Sequence, residues 1–333
     1  MKLVNYIFIF IFLIFTPSLS ENPSGFLTWK TNFKKVALSN NISEKTFDTV
    51  MANVRFLPKV IKYDRYQPEF YEDTKTYISK RTSSKKISKG LEFYEKNSIL
   101  INTIENLYNI EKELLLALMG IETNFGTYVG KMDIISSLAT LSFDERRSEF
   151  FSSELIILLK LIDTNQIDYR TLYGSWAGAF GFFQFMPSTM KNYAIDYDKN
   201  SYINLKDNND AYASAANYLN KIGWKDNEPC FYKIALLNET PKKYLNVSAK
   251  KLHNKKKLKY FRKYILNHNK LDKKFDNLTA SIITPDKDII PNAENLSPAY
   301  VVFDNYEIIL KWNRSLRFSL AVCTLKEKFE NEL

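Results

Sequence analysis

The run from Leu114 to Met119 is apolar almost all round, so a helix built on it must be buried on every side. Such a helix needs other helices wrapped about it, which already favours a mainly α-helical body. Asn109 is read as its N-cap, with Glu111 and Glu113 in the first turn where carboxylates suit the helix dipole. The helix is expected to end near Gly126.

The flanking sequence supplies candidate partners. Residues 21–75 are amphipathic at helical spacing, with Phe33, Val36, Ala37 and Phe47, Val50, Met51, Val54. Thr82 to Lys86 is polar and reads as a loop, and 88–108 returns to a helical pattern. Further helices are predicted over 149–163 and 208–222, and the segment from Tyr306 to Leu325 is again helical in pattern. Residues 231–299 differ: they are rich in Lys, with short β-like runs at 231–235 and 299–303 and room for a strand or two between. The expected class is mainly α (α+β). Its expected parts are an N-terminal leader at 1–20, a helical region at 21–90, a core at 91–230, a small basic β-containing subdomain at 231–300, and a helical segment at 301–333 packing back on the core.

The leader is read from Lys2, the apolar run Ile7 to Phe15, Pro17 and the small residues Ser18-Leu19-Ser20, the pattern of a secretory signal peptide. No Cys lies near that point, so a lipid-modified N-terminus is not expected; a membrane association is expected only if the leader stays uncleaved. Export argues against a nucleic-acid partner, although the net charge of +10 would suit a polyanion. Lys250, Lys251, Lys255, Lys256, Lys257, Lys259, Arg262 and Lys263 form a cluster, read as a polyanion patch or, more plainly, a solvated surface. Cys230 and Cys323 lack metal-ligand spacing and are expected as two buried thiols, with one disulfide in an oxidising compartment as the alternative. His253 and His268 are the only two histidines, both in the lysine-rich region, so a His-based triad or a zinc hydrolase has little to work with.

Two stretches carry chemistry. In Met119-Gly120-Ile121-Glu122-Thr123-Asn124-Phe125-Gly126 a carboxylate follows the apolar helix directly. Apolar surroundings disfavour its charged form and keep it protonated, as a general acid acting on a glycosidic oxygen requires. The other reading is an ordinary helix-end Glu. Gly174-Ser175-Trp176-Ala177-Gly178-Ala179-Phe180-Gly181-Phe182-Phe183-Gln184-Phe185-Met186-Pro187-Ser188 combines a tight backbone path, rings that stack on sugars, and Ser and Gln groups that can bond acetamido substituents. Its plainer reading is a buried glycine-rich turn.

With these two stretches, Ser137-Leu138-Ala139-Thr140-Leu141-Ser142-Phe143, Arg146-Arg147, Ala216-Asn217-Tyr218-Leu219 and Trp312-Asn313-Arg314-Ser315, the chain resembles the lytic murein transglycosylase B family, glycoside hydrolase family 103. The resemblance implies a lysozyme-like helical core with a deep glycan groove. It implies that Glu122 is the single catalytic carboxylate, that Ser175 and Gln184 lie close to it, and that Tyr77, Arg146, Arg147, Tyr218 and Asn313 touch glycan or its peptide. Phe318 stands where the family commonly has Tyr, so a hydroxyl contact would be lost while ring packing is kept. The implied reaction cleaves the MurNAc–GlcNAc β-1,4 bond of peptidoglycan and closes a 1,6-anhydro ring, in cell-wall turnover in the periplasm. The implied partner is the glycan strand, and the protein is expected as a monomer.

A hydrolysing muramidase of similar fold is the alternative, and it would need a second carboxylate such as Asp133, Asp144, Glu145 or Glu149. A non-catalytic peptidoglycan-binding protein is the other; the presence of Glu122 speaks against it. No cofactor is needed for catalysis. Asp196, Asp198, Asn200 and Tyr202 alternate like the start of an EF-hand loop, and family members can carry calcium there with a later Asp that matches Asp210. Ser201 in place of the turn glycine, and Asp207 or Asp210 in place of the terminal Glu, depart from the EF-hand pattern. A structural Ca2+ or a solvated Asx-rich turn both fit.

Overall fold

A computed structural model describes residues 23–67, 71–287, 290 and 296–333. The expected leader lies outside these residues. Four short helices open the described chain: α1 (Phe26–Ser39), α2 (Glu44–Met51), α3 (Pro58–Arg65) and α4 (Thr74–Arg81). Each start has a local cause. Ser43 caps α2 by accepting from the Thr46 N–H, Pro58 opens α3 with its φ already helical, and Asp73 caps α4 by accepting from the Thr76 N–H.

The long α5 (Ser84–Tyr108) follows, then α6 (Lys112–Thr123). The loop expected at Thr82 to Lys86 shrinks to Thr82 and Ser83, because the polar residues after them form the exposed first turn of α5. Asn109 does not cap α6. It sits at φ 54° as the left-handed end of α5, and Glu111 stands at the N-cap of α6. From Leu114 through Gly120 every residue of α6 is buried. Gly120 is required there: a Cβ would lie 2.8 Å from the Phe125 ring, so a side chain would push the turn after the helix away.

The core continues with β1 (Met132–Asp133), α7 (Ile134–Phe143), α8 (Ser148–Asp163), β2 (Tyr173–Gly174), α9 (Pro187–Tyr193) and α10 (Asn208–Ile222). Strands β1 and β2 pair antiparallel and bring the glycine-aromatic stretch back to the end of α6. Helix α7 packs on α8, α8 on α9, and α10 on α5, α6 and α9.

Beyond α10 come β3 (Phe231–Ile234), β4 (Leu245–Asn246), β5 (Lys256–Lys257), α11 (Leu258–Phe261), β6 (Thr279–Ile283) and β7 (Ala299–Val302). The sheet order is β3-β7-β6-β4, with β5 also pairing β6. Tyr300, Val302 and Ile283 face the large helical core. The alternate residues Ala299, Val301 and Ile282 face a smaller core with Leu258, Phe261, Ile265 and Leu271. The period of two thus gives one sheet two different faces.

The expected helix over Tyr306 to Leu325 is two helices, α12 (Asp304–Trp312) and α13 (Leu316–Glu330). Ser315 breaks and restarts the run, its hydroxyl accepting from the Phe318 N–H. Helix α13 packs along α6 and α4. Cys230, just ahead of the edge strand β3, is joined in a disulfide to Cys323 in α13, with their Cα atoms 6.1 Å apart. The expectation of two separate thiols is therefore corrected, since the sheet edge docks against the last helix. A second joint is buried: Asp286 accepts from the Thr74 N–H and from the guanidinium of Arg317, which is 2% exposed.

Candidate active site

Glu122 lies in the last turn of α6, half-buried, and one of its carboxylate oxygens accepts a hydrogen bond of 3.0 Å from the Trp312 indole N–H. The two residues are 190 positions apart in sequence. On one side of this pair is a hollow of about 460 Å³ lined by Ser83, Lys85, Lys86, Lys89, Glu122 and Tyr128, among others. On the other is a hollow of about 600 Å³ whose lining includes Arg147, Glu154, Tyr193, Tyr218, Trp312 and Arg314. Glu122 and Trp312 thus stand at the junction of two openings.

The residue after Glu122 ties the site together. Thr123 is fully buried, and its hydroxyl donates to the Phe182 carbonyl at 2.8 Å. This bond holds the glycine-aromatic stretch against the end of α6. Within the stretch, Phe180 and Phe185 exchange backbone hydrogen bonds, and Phe182 N–H donates to the Leu205 carbonyl. The Ser175 hydroxyl accepts from the Ala179 N–H at 3.0 Å, so it shapes the turn. The Gln184 amide donates to the Gly181 carbonyl at 2.8 Å and to the Val129 carbonyl at 3.3 Å, while its backbone holds φ 50°.

Rings wall the larger hollow. Tyr193 stacks on Tyr218 at 4.4 Å, and Tyr218 lies 5.0 Å from Trp312, which also meets Phe185 at 5.5 Å. Burial pushes the Tyr218 phenol up to about 12, so it is a neutral donor at any ordinary pH. Arg146 and Arg147 converge on the buried carboxylate of Asp64. Arg147 reaches the hollow and also covers the Phe151 ring. Asn313 follows Trp312 directly at the end of α12. Tyr77 and Phe318 are in the protein interior, 4% exposed each; Tyr77 lies under the Arg81 guanidinium, and neither lines the two hollows.

The four carboxylates offered as a second catalytic group lie outside the linings of both hollows. Asp133 caps α7, and Asp144 pairs with Arg65. Glu145 and Glu149 are exposed and outside both linings. Glu154 reaches the larger hollow, yet its two oxygens accept from the backbone N–H and the hydroxyl of Ser188.

Sequence reasoning missed Trp312 as the partner of Glu122, although it stands beside the assigned Asn313. It also missed the lysines. Lys86 donates to the Gly120 carbonyl, which also accepts from the Asn124 N–H, and Lys89 donates to the Asn124 carbonyl just past the end of α6. Burial, helped by Arg81 and Lys89, pushes the Lys86 ammonium down to about 8. Another hollow of about 600 Å³, between α2 and the end of α8, includes Ser43 bonded to Asp163 and Arg170 paired with Asp168, and it holds neither Glu122 nor Trp312.

The metal-loop residues also converge. Carboxylate oxygens of Asp196, Asp198 and Asp210 lie within 4.8 Å of one another. The hydrogen bonds they accept come from backbone and amide N–H groups: Asn200 and Ser201 onto Asp196, Asn200 onto Asp198, Tyr197 and Asn204 onto Asp210. The Asn200 side-chain oxygen accepts from the Tyr202 N–H at 2.9 Å. Burial first, then the neighbouring Asp198 and Asp196 carboxylates, raise the Asp210 carboxyl from its ordinary value.

The chain is similar to known lytic transglycosylases. Membrane-bound lytic murein transglycosylase B of Escherichia coli (strain K12) is 39% identical over 149 residues, 44% of this chain and 41% of that protein, so the aligned part spans less than half of the relative. SltB3 from Pseudomonas aeruginosa, solved in complex with NAG-anhNAM-pentapeptide, superposes with a TM-score of 0.79 at 29% identity over 92% of this chain and 79% of that one. The Escherichia coli lytic transglycosylase Slt35, solved in complex with calcium, shares the fold at a TM-score of 0.75 and 24% identity, with 95% of each chain covered. The helical body is lysozyme-like, as the resemblance implied. The Transglycosylase SLT domain matches residues 25–327, and the chain belongs to that family.

Proposed function

We propose that this chain is a lytic transglycosylase that cleaves the MurNAc–GlcNAc β-1,4 bond of peptidoglycan and leaves a 1,6-anhydro-MurNAc end. One observation carries the reading: Glu122, oriented by the Trp312 indole, sits where two hollows meet. A glycan strand laid through both would present its linking oxygen to that carboxyl group.

Glu122 in its acid form gives its proton to the glycosidic oxygen as the C1–O bond breaks, and the acetamido oxygen of the same MurNAc steadies C1. The Glu122 carboxylate then takes the proton of the C6 hydroxyl as that oxygen bonds to C1. Atoms balance with no water consumed, because the nucleophile is already held by the sugar. One carboxylate suffices where a hydrolase needs two. The commitment of both Glu154 oxygens to Ser188 supports this. Tyr193, Tyr218 and Trp312 offer ring faces to sugars, and Arg147, Arg314 and Lys86 offer cations to the carboxylates of peptide stems.

The reading also includes export to the periplasm by residues 1–20 and action as a monomer in cell-wall turnover. Asp196, Asp198 and Asp210, with Asn200 and the Tyr202 carbonyl, would hold a structural Ca2+ that draws these oxygens together. Calcium is expected to raise the melting temperature, and Asp210→Ala to remove that rise; an unchanged melting temperature in wild type discards the metal.

Digestion of purified sacculi tests the chemistry. Mass spectrometry is expected to find anhydro-MurNAc ends, and reducing ends instead would make the chain a muramidase. Glu122→Gln is expected to lower turnover by at least about 10³-fold with glycan binding kept. Undiminished turnover would remove Glu122 from the reaction.

A further inference from the structure

Residues 231–300 contain 15 Lys and Arg against 6 Asp and Glu, so nine of the ten net positive charges of the chain fall on this one subdomain. None of these cations lines either hollow beside Glu122. The charge therefore serves something other than the glycan cleft.

Part of it is gathered on a built feature. Tyr244, Tyr260 and Tyr264 pack together with ring centroids 5.8, 5.9 and 6.2 Å apart, and the hydroxyls of Tyr244 and Tyr260 share a hydrogen bond of 2.7 Å. Lys243 stands 5.3 Å from the Tyr244 ring centre and Lys256 5.8 Å from that of Tyr260. Lys263 stands 4.5 Å from Tyr260 and 5.0 Å from Tyr264. All three lysines are exposed, and among the described residues none of them meets a carboxylate, whereas nearby Lys255 pairs with Glu307 and Arg262 with Asp276. Leu266, two residues beyond Tyr264, is 61% exposed.

We propose that this tyrosine-lysine face docks on an anionic phospholipid bilayer. Ammonium groups of Lys243, Lys256 and Lys263 meet lipid phosphates. The half-exposed rings of Tyr260 and Tyr264 sit at headgroup depth, where an apolar body with a polar tip is favoured. Leu266, exposed two residues beyond Tyr264, adds an apolar side chain to the contact. A soluble polyanion would satisfy the charge but gives no role to exposed rings and an exposed Leu. This docking is separate from any anchoring by an uncleaved leader.

The test is co-sedimentation of the full chain with vesicles of phosphatidylcholine alone or with phosphatidylglycerol added. The share of binding due to residues 1–22 is common to wild type and variants. Wild type is expected to prefer the anionic vesicles and to lose that preference in high salt. Lys243→Gln/Lys256→Gln/Lys263→Gln is expected to lose at least about ten-fold of the anionic preference, and Lys263→Gln alone roughly five-fold. Turnover of soluble glycan fragments should stay at the wild-type rate in both. Equal binding to the two vesicle types, an undiminished preference in both variants, or capture by soluble polyphosphate with no phosphatidylglycerol-dependent binding would each overturn the proposal.

Discussion

Leu116 in α6 and Ile282 in β6 are equally buried, with no exposed surface, but they reach that state by different routes. Leu116 belongs to a helix of 12 residues that packs against the adjacent α5 and is completed by α13. Ile282 sits in a sheet assembled from short strands of separate segments, two of them only two residues long. Its face of the sheet packs on a small core of its own, while the opposite face joins the helical body. The chain thus carries Glu122, the proposed acid, on the layer made of long, local elements, and concentrates its charge on the layer made of short, distant ones.

The largest effects should come from truncating these two side chains. Leu116→Ala is expected to cost about 2–5 kcal/mol and to lower the single melting transition of the helical body together with turnover. Ile282→Ala should cost a similar amount, yet calorimetry should show a separate early transition with turnover of soluble fragments kept below it. One shared transition in both variants would break the contrast between the layers. A smaller effect tests whether the sheet layer serves the chemistry through α12. Trp312→Phe keeps the ring and removes the N–H to Glu122, so kcat should fall about 10- to 100-fold with KM little changed. An unchanged kcat would remove Trp312 as a positioning residue.

The smallest effect concerns pH. Lys86 loses its proton as pH rises through about 8, so attraction for anionic peptide stems should weaken a few-fold above that point. Between about 8 and the ordinary lysine value of 10.5 the unfolded chain holds the extra proton, so this residue makes stability rise with pH there. Lys86→Gln should flatten both trends, and a KM profile identical to wild type would exclude the lysine from substrate binding.

Legibility in the sequence follows the same division. The bounds of α10 match the predicted 208–222, and α8 begins one residue before the predicted 149–163, because periodic apolar residues mark each helix without outside help. The first turn of α5 was hidden because Ser84, Lys85 and Lys86 make it polar; its purpose appears only when Lys86 meets the end of α6. Asn109 could begin one helix or end another, and its backbone at φ 54° decides for the ending. Glu122 was a candidate from the apolar run before it, with an ordinary helix-end Glu as the other reading, and only the family resemblance singled it out. Its partner was not, since nothing local to Trp312 says which acceptor its indole meets. The strands β4 and β5 are too short to alternate, and the Cys230–Cys323 bond depends on the docking of distant elements.

The hydrogen bond between Trp312 and Glu122 has a bearing on when activity can arise. A growing chain makes Glu122 early and the indole that bonds it only once residue 312 has emerged, followed by the helix that packs along α6. Under the proposed mechanism, fragments stopping short of residue 312 would keep Glu122 and the glycine-aromatic stretch but lack the indole, so cleavage would wait for that residue.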